Sequence, residues 1–317
     1  MAGMIALVIP SNRPEFLERW RREWKTELER PDVTLFVVRD DPDMWDEIDE
    51  TLGADAWIIP RQTDCIRSYG FWQAYQAGAD LILTMDDDCL PDAERPGSWV
   101  HAHRHELGKD LWSPWVWTIS GLSPRGLPQH IWREGPTVLN HGLWRGAPDL
   151  DAETQLKYGS PPPPYRLIEQ MMPPGMVFPM SGMNLAFRRA LTPAMYFGLM
   201  GTVQGEDTGF HRYGDIWAGL FAKRIADHLG WIMHSGMPTV QHTRASDPHV
   251  NVVTEATAKA ATEWLWRAVG DVRLTASTVT ACYHELADRL VLPEAPYWTR
   301  LRRAMHVWAS LYEEGPV

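Results

Sequence analysis

Three consecutive carboxylates, Asp86, Asp87 and Asp88, follow the apolar run "LILTM" without a break. If that run is a strand, residues i and i+2 share a face, so Asp86 and Asp88 point together and Asp87 points away. Paired carboxylates repel, and more strongly beside a low-dielectric core. A hard divalent cation resolves the conflict, because Mg2+ or Mn2+ accepts a few carboxylates and completes its shell with water and phosphate oxygens. An Asp-x-Asp at a strand end therefore suits a metal-held diphosphate. The plain alternative is a solvated acidic turn or a helix cap. His242, in "VQHTRASDPH" after a β-rich segment, is a candidate third ligand and equally a structural hydrogen-bonding histidine.

The elements that must position these groups alternate between two periods over the first ninety or so residues. Residues 4–10 read as a strand, and Ser11, Asn12, Arg13 and Pro14 offer a cap and a first-turn proline for the helical stretch "EFLERWRREWKTELER". Residues 33–38 read as a strand, 42–52 as a helix, 56–60 as a strand, 66–77 as a helix and 80–85 as a strand. Such alternation predicts a parallel sheet with helices on both faces and a ligand beyond the carboxyl ends of its strands. Asp40 and Asp41 end one strand and the acidic triplet ends another, so both groups fall on that edge. From Trp112 to about Val177 the pattern loosens, and "SPPPP" reads as a stiff surface spacer. Residues 187–200 and 216–229 resume helical spacing, 236–242 suit a strand, and 254–269, 275–290 and 297–312 read as three helices.

Composition narrows the class. A chain of 317 residues accommodates one large or two ordinary domains, and 44% hydrophobic residues mark it as globular. A net charge of −11 argues against broad nucleic-acid or anionic-membrane binding. An anionic ligand would need local help from arginine, a helix N-terminus or a metal. Three scattered cysteines, Cys65, Cys89 and Cys282, make neither a disulfide framework nor a thiolate zinc site. The N-terminal run lacks the charge and cleavage pattern of a signal peptide, and no apolar segment approaches the roughly 18–20 residues that span a bilayer. A soluble, cytoplasmic protein is expected. Seventeen tryptophans read mainly as core, with some available to line a sugar site.

Several longer blocks carry a resemblance. "TMDDDC", "HGLW" with "PDLDAETQL", "FPMSGMNLAF", "PAMYFGLMG", "YGDIWAG", "ADHLG" and "QHTRASDP" occur in this order between residues 84 and 248. Together they closely resemble the reversibly glycosylated polypeptides, the UDP-arabinopyranose mutases of glycosyltransferase family 75. The resemblance extends from about Ile5 to Val252, with the terminal helices outside it. It implies an α/β, GT-A-like nucleotide-sugar-binding (Rossmann-like) domain over 1–252, with a nucleotide-binding half at about 1–110 and a sugar and nucleophile half at about 111–252. Residues 253–317 are then a helical C-terminal extension. It also implies a Mn2+ (or Mg2+) cofactor, a UDP-pentose substrate, interconversion of UDP-L-arabinopyranose and UDP-L-arabinofuranose, a homo-oligomer, and reversible glycosylation of an arginine.

Residue by residue, the resemblance assigns Asp86 and Asp88 with His242 to the metal, and Asp40, Arg67, Asp86 and Asp87 to the nucleotide end. The glycosylated arginine falls in "RGLPQHIWREG", as Arg125 or Arg133; the spacing between the two is one residue longer than in the plant pattern. Gly214 in "YGDIWAG" stands where that pattern has an aspartate, which leaves Asp215. A guanidinium is protonated at ordinary pH and offers no lone pair. Its attack on the sugar therefore needs a close carboxylate, for which Asp215 is the first choice and Glu134 the second. Phosphate or carboxylate clamping is the ordinary role for both arginines. His141 and Asn184 are candidates for sugar hydroxyls, whereas Lys223 and Asp227 suit a helical surface pair. A glycosyltransferase with a separate acceptor, or a self-glycosylating UDP-sugar-binding protein, would use the same nucleotide site.

Overall fold

A computed structural model describes residues 3–112, 125–126, 133–147, 149–159, 170–243 and 246–313. In chain order, β1 (Ile5–Ser11), α1 (Pro14–Glu23), α2 (Lys25–Leu28), β2 (Val33–Arg39), α3 (Pro42–Leu52), α4 (Arg67–Gln76) and β3 (Leu81–Met85) realise the expected alternation. Pro14 opens α1 as predicted, but no side chain caps that helix. The Ser11 hydroxyl is diverted to Asp87 Oδ2, 2.5 Å away. Asp41 is a true cap: its carboxylate accepts the Met44 N–H at 3.0 Å at the start of α3.

Residues 56–60 are not a strand. Most of them lie in a 3-10 stretch, Gly53–Ile58, which buries Ile58 and Ile59 beneath the sheet. A short apolar run has no period long enough to separate these outcomes.

The chain continues with β4 (Cys89–Pro91), α5 (Trp99–Leu107), the small paired strands β5 (Leu111–Trp112) and β6 (Arg133–Glu134), β7 (Thr137–Gly146), α6 (Ala152–Tyr158), β8 (Gln170–Met171) and β9 (Asn184–Arg188). Then come the hairpin of β10 (Thr202–Val203) and β11 (Glu206–Asp207), α7 (Gly214–His228), β12 (Ile232–His242), α8 (Pro248–Asp271), α9 (Val279–Arg289) and α10 (Pro296–Ser310). The helix expected over 187–200 is absent. Phe187 belongs to β9, and a 3-10 turn with Pro193 inside it follows.

The main sheet has the order β2-β1-β3-β9-β7-β12-β4, with β8 also on β12. β1 pairs in parallel with β2 and β3, and β7 with β12. β9 runs antiparallel to β3 and β7, while β4 and β8 run antiparallel to β12. The sheet is thus mixed and mainly parallel rather than purely parallel. Helix-crossover logic holds through β3 and stops there, because β9 runs antiparallel to both of its neighbours.

One face of the sheet packs Trp20 of α1, Trp24 just after it and Trp99 of α5. On the other face, Phe187 and Phe197 share a continuous apolar core with Leu265, Leu286 and Trp308 of the terminal helices. Trp308 stacks on Tyr196 at 5.2 Å between ring centroids. Lys223 and Asp227 are not a surface pair: Lys223 is buried, and its Nζ donates to Asp227 at 2.5 Å and to the Pro173 carbonyl at 2.9 Å. Among the described residues, no helix is long and apolar enough to cross a membrane.

Candidate functional site

β1, β2 and β3 end on one edge of the sheet, and the acidic triplet turns over that edge. It lies beyond the last residue of β3, so the three carboxylates diverge instead of alternating across a strand. Asp86 pairs with the buried Arg67. Asp87, almost fully buried, accepts Ser11 and the Arg13 guanidinium. Asp88 lies 3.6 Å from Arg13 and 3.8 Å from His242 Nε2. Arg13 was not foreseen as a site residue. The available signal was topological: in parallel neighbours the loop after β1 must land beside the loop after β3.

β12 closes the arrangement from the far end of the chain. Its pairing with β4 sets His242 opposite Cys89, and Thr243 donates its N–H and hydroxyl to the Asp88 carbonyl at 3.1 and 3.0 Å. His242 Nδ1 donates to the Ala147 carbonyl at 2.8 Å, which leaves Nε2 facing Asp88 Oδ1. That Oδ1 is buried without a hydrogen-bond partner among the described residues. Burial alone would lower the pKa of His242, but the nearby Asp88 carboxylate, the bond to the Ala147 carbonyl and the charge of Asp86 raise it.

An orphaned carboxylate oxygen opposite an oriented imidazole nitrogen fits a divalent cation that draws its remaining ligands from water or phosphate. The fit is partial. Among the described residues no three His, Cys, Asp or Glu groups are close enough to hold a metal by themselves.

Next to Asp86 opens a cavity of about 490 Å³, lined by Arg67, Asp86, Trp144, Asp215 and, beyond the expected residues, Asp64 and Arg212. Asp149, Asp151 and Glu255 also reach its wall, so among the described residues six carboxylates face two arginines. An anionic ligand entering such a space needs added cations or bound protons. Arg67 is 2% exposed, and its guanidinium reaches Thr84 Oγ1 at 3.0 Å, the Gly182 carbonyl and Asp86. Its Nε has no partner among the described residues. Arg212 is held by Glu255 at 3.1 Å. Gln62 and Arg212 take left-handed backbone angles, φ 58° and 60°, and both line the cavity. Non-glycine residues in that conformation store strain that clusters at functional sites.

Asp215 accepts the Gly182 N–H at 2.9 Å, and burial, then Asp64 and Asp149, push its pKa up to about 8. The expected base is thus shifted toward its protonated form.

Other expected residues fall elsewhere. Asp40 is at the same sheet edge but outside the cavity wall, where its Oδ1 accepts the Trp45 indole N–H at 2.7 Å. His141 stands one layer behind the wall: its Nδ1 meets Ser235 Oγ at 3.1 Å and its ring packs edge-on against Trp144. Burial lowers its pKa to about 4, so it is neutral and supports the wall. Asn184 is fully buried and saturated. It accepts from Trp99 and meets His103, both at 2.9 Å, and donates to the Leu143 and Pro238 carbonyls. No capacity is left for a sugar hydroxyl. Arg125 is in an exposed turn, Glu134 is exposed in β6, and only the backbone of Arg133 is described. The "SPPPP" run lies outside the described residues.

The comparisons with known proteins agree with one another. The family described as "Reversibly glycosylated polypeptide" matches residues 5–315, so the likeness continues through α10 and past the Val252 limit of the sequence blocks. UDP-arabinopyranose mutase 1 of Arabidopsis thaliana is 34% identical over 341 residues, covering 97% of this chain and 92% of that protein. A probable UDP-arabinopyranose mutase 1 of Solanum tuberosum is 32% identical, covering 97% and 90%. UDP-arabinopyranose mutase 1 of Oryza sativa subsp. japonica is 31% identical with the same coverage.

Proposed function

For a chain that belongs to the reversibly glycosylated polypeptide family, we propose a sugar-nucleotide mutase that interconverts UDP-L-arabinopyranose and UDP-L-arabinofuranose on a GT-A-like scaffold. The observation that carries this reading is the unsatisfied Asp88 Oδ1 facing His242 Nε2, two residues from Asp86 on the wall of a carboxylate-rich cavity. The activity itself comes from the relatives' names. The scaffold reading rests on the parallel β2-β1-β3 half with its acidic turn at the carboxyl edge, where nucleotides bind in open α/β sheets.

Asp88 and His242, with Asp86 beside them, are the groups that would hold Mn2+ or Mg2+. When bound, the ion supplies positive charge to a pyrophosphate leaving group. Arg67 fixes Asp86 and adds its own buried charge. Trp144 gives the cavity an aromatic wall for a sugar or base face. Arg125 or Arg133 is the nucleophile that holds the sugar while UDP stays bound, and Asp215 serves as its proton carrier. A carboxyl titrating near neutrality can give a proton to a ring oxygen and take one back, which a fully ionised aspartate cannot do.

The test is incubation of the pure protein with UDP-arabinofuranose and Mn2+, followed by separation of the nucleotide sugars. Formation of the pyranose without an acceptor is expected, with loss of metal-dependent turnover in Asp88→Asn. Free UDP only after a glycan is added would make the protein a transferase. A stable one-pentose mass increase without turnover would make it a self-glycosylating binder.

A further inference from the structure

The mutase reading uses one carboxyl at the sugar end, and the cavity wall carries another that it leaves idle. Asp64 lies in the 3-10 turn Asp64–Ile66 just before α4, and Asp215 in the first turn of α7. What brings these turns together is Gly214. A Cβ there would fall on the Phe197 carbonyl oxygen and lie 2.8 Å from Cys65 Sγ. Cys65 donates to that same carbonyl at 3.1 Å. The absence of a side chain at 214, where the resemblance expected an acid, is therefore what lets the Asp64 segment close on α7.

We propose that Asp64 is a second catalytic carboxyl, paired with Asp215 so that the two hold a single proton and exchange it with the sugar's ring oxygens. The inference rests on the mutase reading for its substrate. The nearby cations are already committed, Arg67 to Asp86 and Arg212 to Glu255. Asp64 and Asp215 are thus left facing a shared space without a salt bridge among the described residues. Two such carboxyls cannot both ionise cheaply.

The surroundings agree. Burial raises Asp64 against the pull of Arg67 and Arg212, with Asp86 adding to the rise; Asp215 is raised by burial, Asp64 and Asp149 against Arg67. The adjacent Cys65 thiol is held neutral by burial.

Ring contraction needs this number of protons. With C1 held by a guanidine nitrogen, the C1–O5 bond breaks and its electron pair goes to O5. The nitrogen lone pair closes C1=N, and O5 takes the proton of the pair. O4 then attacks C1, the C=N electrons return to nitrogen, and the O4 proton passes to the carboxylate pair. One proton leaves and one returns, with no oxidant or reductant. O4 and O5 sit on adjacent carbons, so two neighbouring carboxyls can serve both.

Asp64→Asn and Asp64→Glu decide the matter, with Asp64→Ser as a substitute if Asp64→Asn does not fold. Turnover of UDP-arabinofuranose in Asp64→Asn is expected to fall about 10²–10⁴-fold, the usual weight of general acid–base catalysis, with partial rescue in Asp64→Glu and Mn2+-dependent UDP affinity within about threefold. The pH–rate profile should lose its limb near 8. The resting protein provides a separate readout, since the protonated-carboxyl infrared band should titrate away at lower pH in Asp64→Asn, where Asp215 loses the neighbouring charge. If the wild type shows that band but no interconversion, the mutase reading falls and the pair survives. If the wild type turns over while Asp64→Asn keeps its rate, profile and band, the inference is wrong.

Discussion

Replacing Arg67 by Met tests how much the site depends on one buried guanidinium. Methionine approximates the aliphatic stem but removes the guanidinium, whose Cζ lies 5.7 Å from the Phe197 ring centroid, so the loss is polar. The Gly182 carbonyl loses its only described side-chain donor in a buried segment, which costs about 1–3 kcal/mol. Thr84 loses less, because its hydroxyl still donates to the Val8 carbonyl at 2.7 Å. Asp86 is left without its partner, but its side chain is 34% exposed and rehydrates, so about 1 kcal/mol is the appropriate charge, well below the 3–5 of a fully buried pair. The expected destabilisation is therefore about 2–4 kcal/mol, read as a lower urea midpoint by tryptophan fluorescence. The double variant Arg67→Met/Asp86→Asn should recover about 1 kcal/mol relative to the sum of the singles. Gly182 also donates its N–H to Asp215, so turnover should fall further than stability alone explains. A midpoint unchanged within about 0.5 kcal/mol, or strict additivity in the cycle, would refute the reasoning.

Two further outcomes follow from other parts of the fold. Gly70→Ala in α4 sets a Cβ 2.5 Å from Val8 Cγ1 and close to Val38 Cγ2 in the buried strands, so overpacking of about 1–3 kcal/mol should outweigh the roughly 1 kcal/mol gained in helix propensity; a raised melting temperature would contradict this. Glu285 accepts two backbone N–H groups and the Thr275 hydroxyl; these bonds and Arg289 overcome burial and lower its pKa to about 2, so its stabilisation is complete above its ordinary 4.5 and is lost as pH falls through 2. Glu285→Gln should therefore flatten the acid limb of a stability–pH curve across that window, and an unaltered limb would count against it.

The nucleotide half was legible because periodicity and punctuation agree there. Pro14 and Pro42 open helices, Gly53 with φ +55° ends one, and the strands between them are β-rich. Legibility failed where an apolar run was short or a proline sat inside a 3-10 turn, as at Ile58 and Pro193. It failed again at β9, since an antiparallel strand inserted between parallel ones leaves no local mark. In the site, Asp86 and Asp88 could be named from motif and spacing and Arg67 from the family resemblance, whereas Asp64 and Arg13 could not. Arg13 becomes a neighbour of the acids only through strand order, and Asp64 only through the close packing at Gly214. Asn184 and His141 sit in matching blocks for another reason: their hydrogen bonds tie β7, β9 and β12 into the wall behind the cavity.

The closure of β12 on β4 has a temporal consequence. Thr243 and Asp88 meet across 155 residues, and the strand that delivers them there is the last to join the sheet. A chain emerging from the ribosome can build β1, β2 and β3 early, since their contacts are local, but must wait for the distant strand to pay the entropy of so large a loop. Until then Asp88 has no histidine opposite it. The facing of Asp88 and His242 is thus a late event in biogenesis, a signature of the finished sheet.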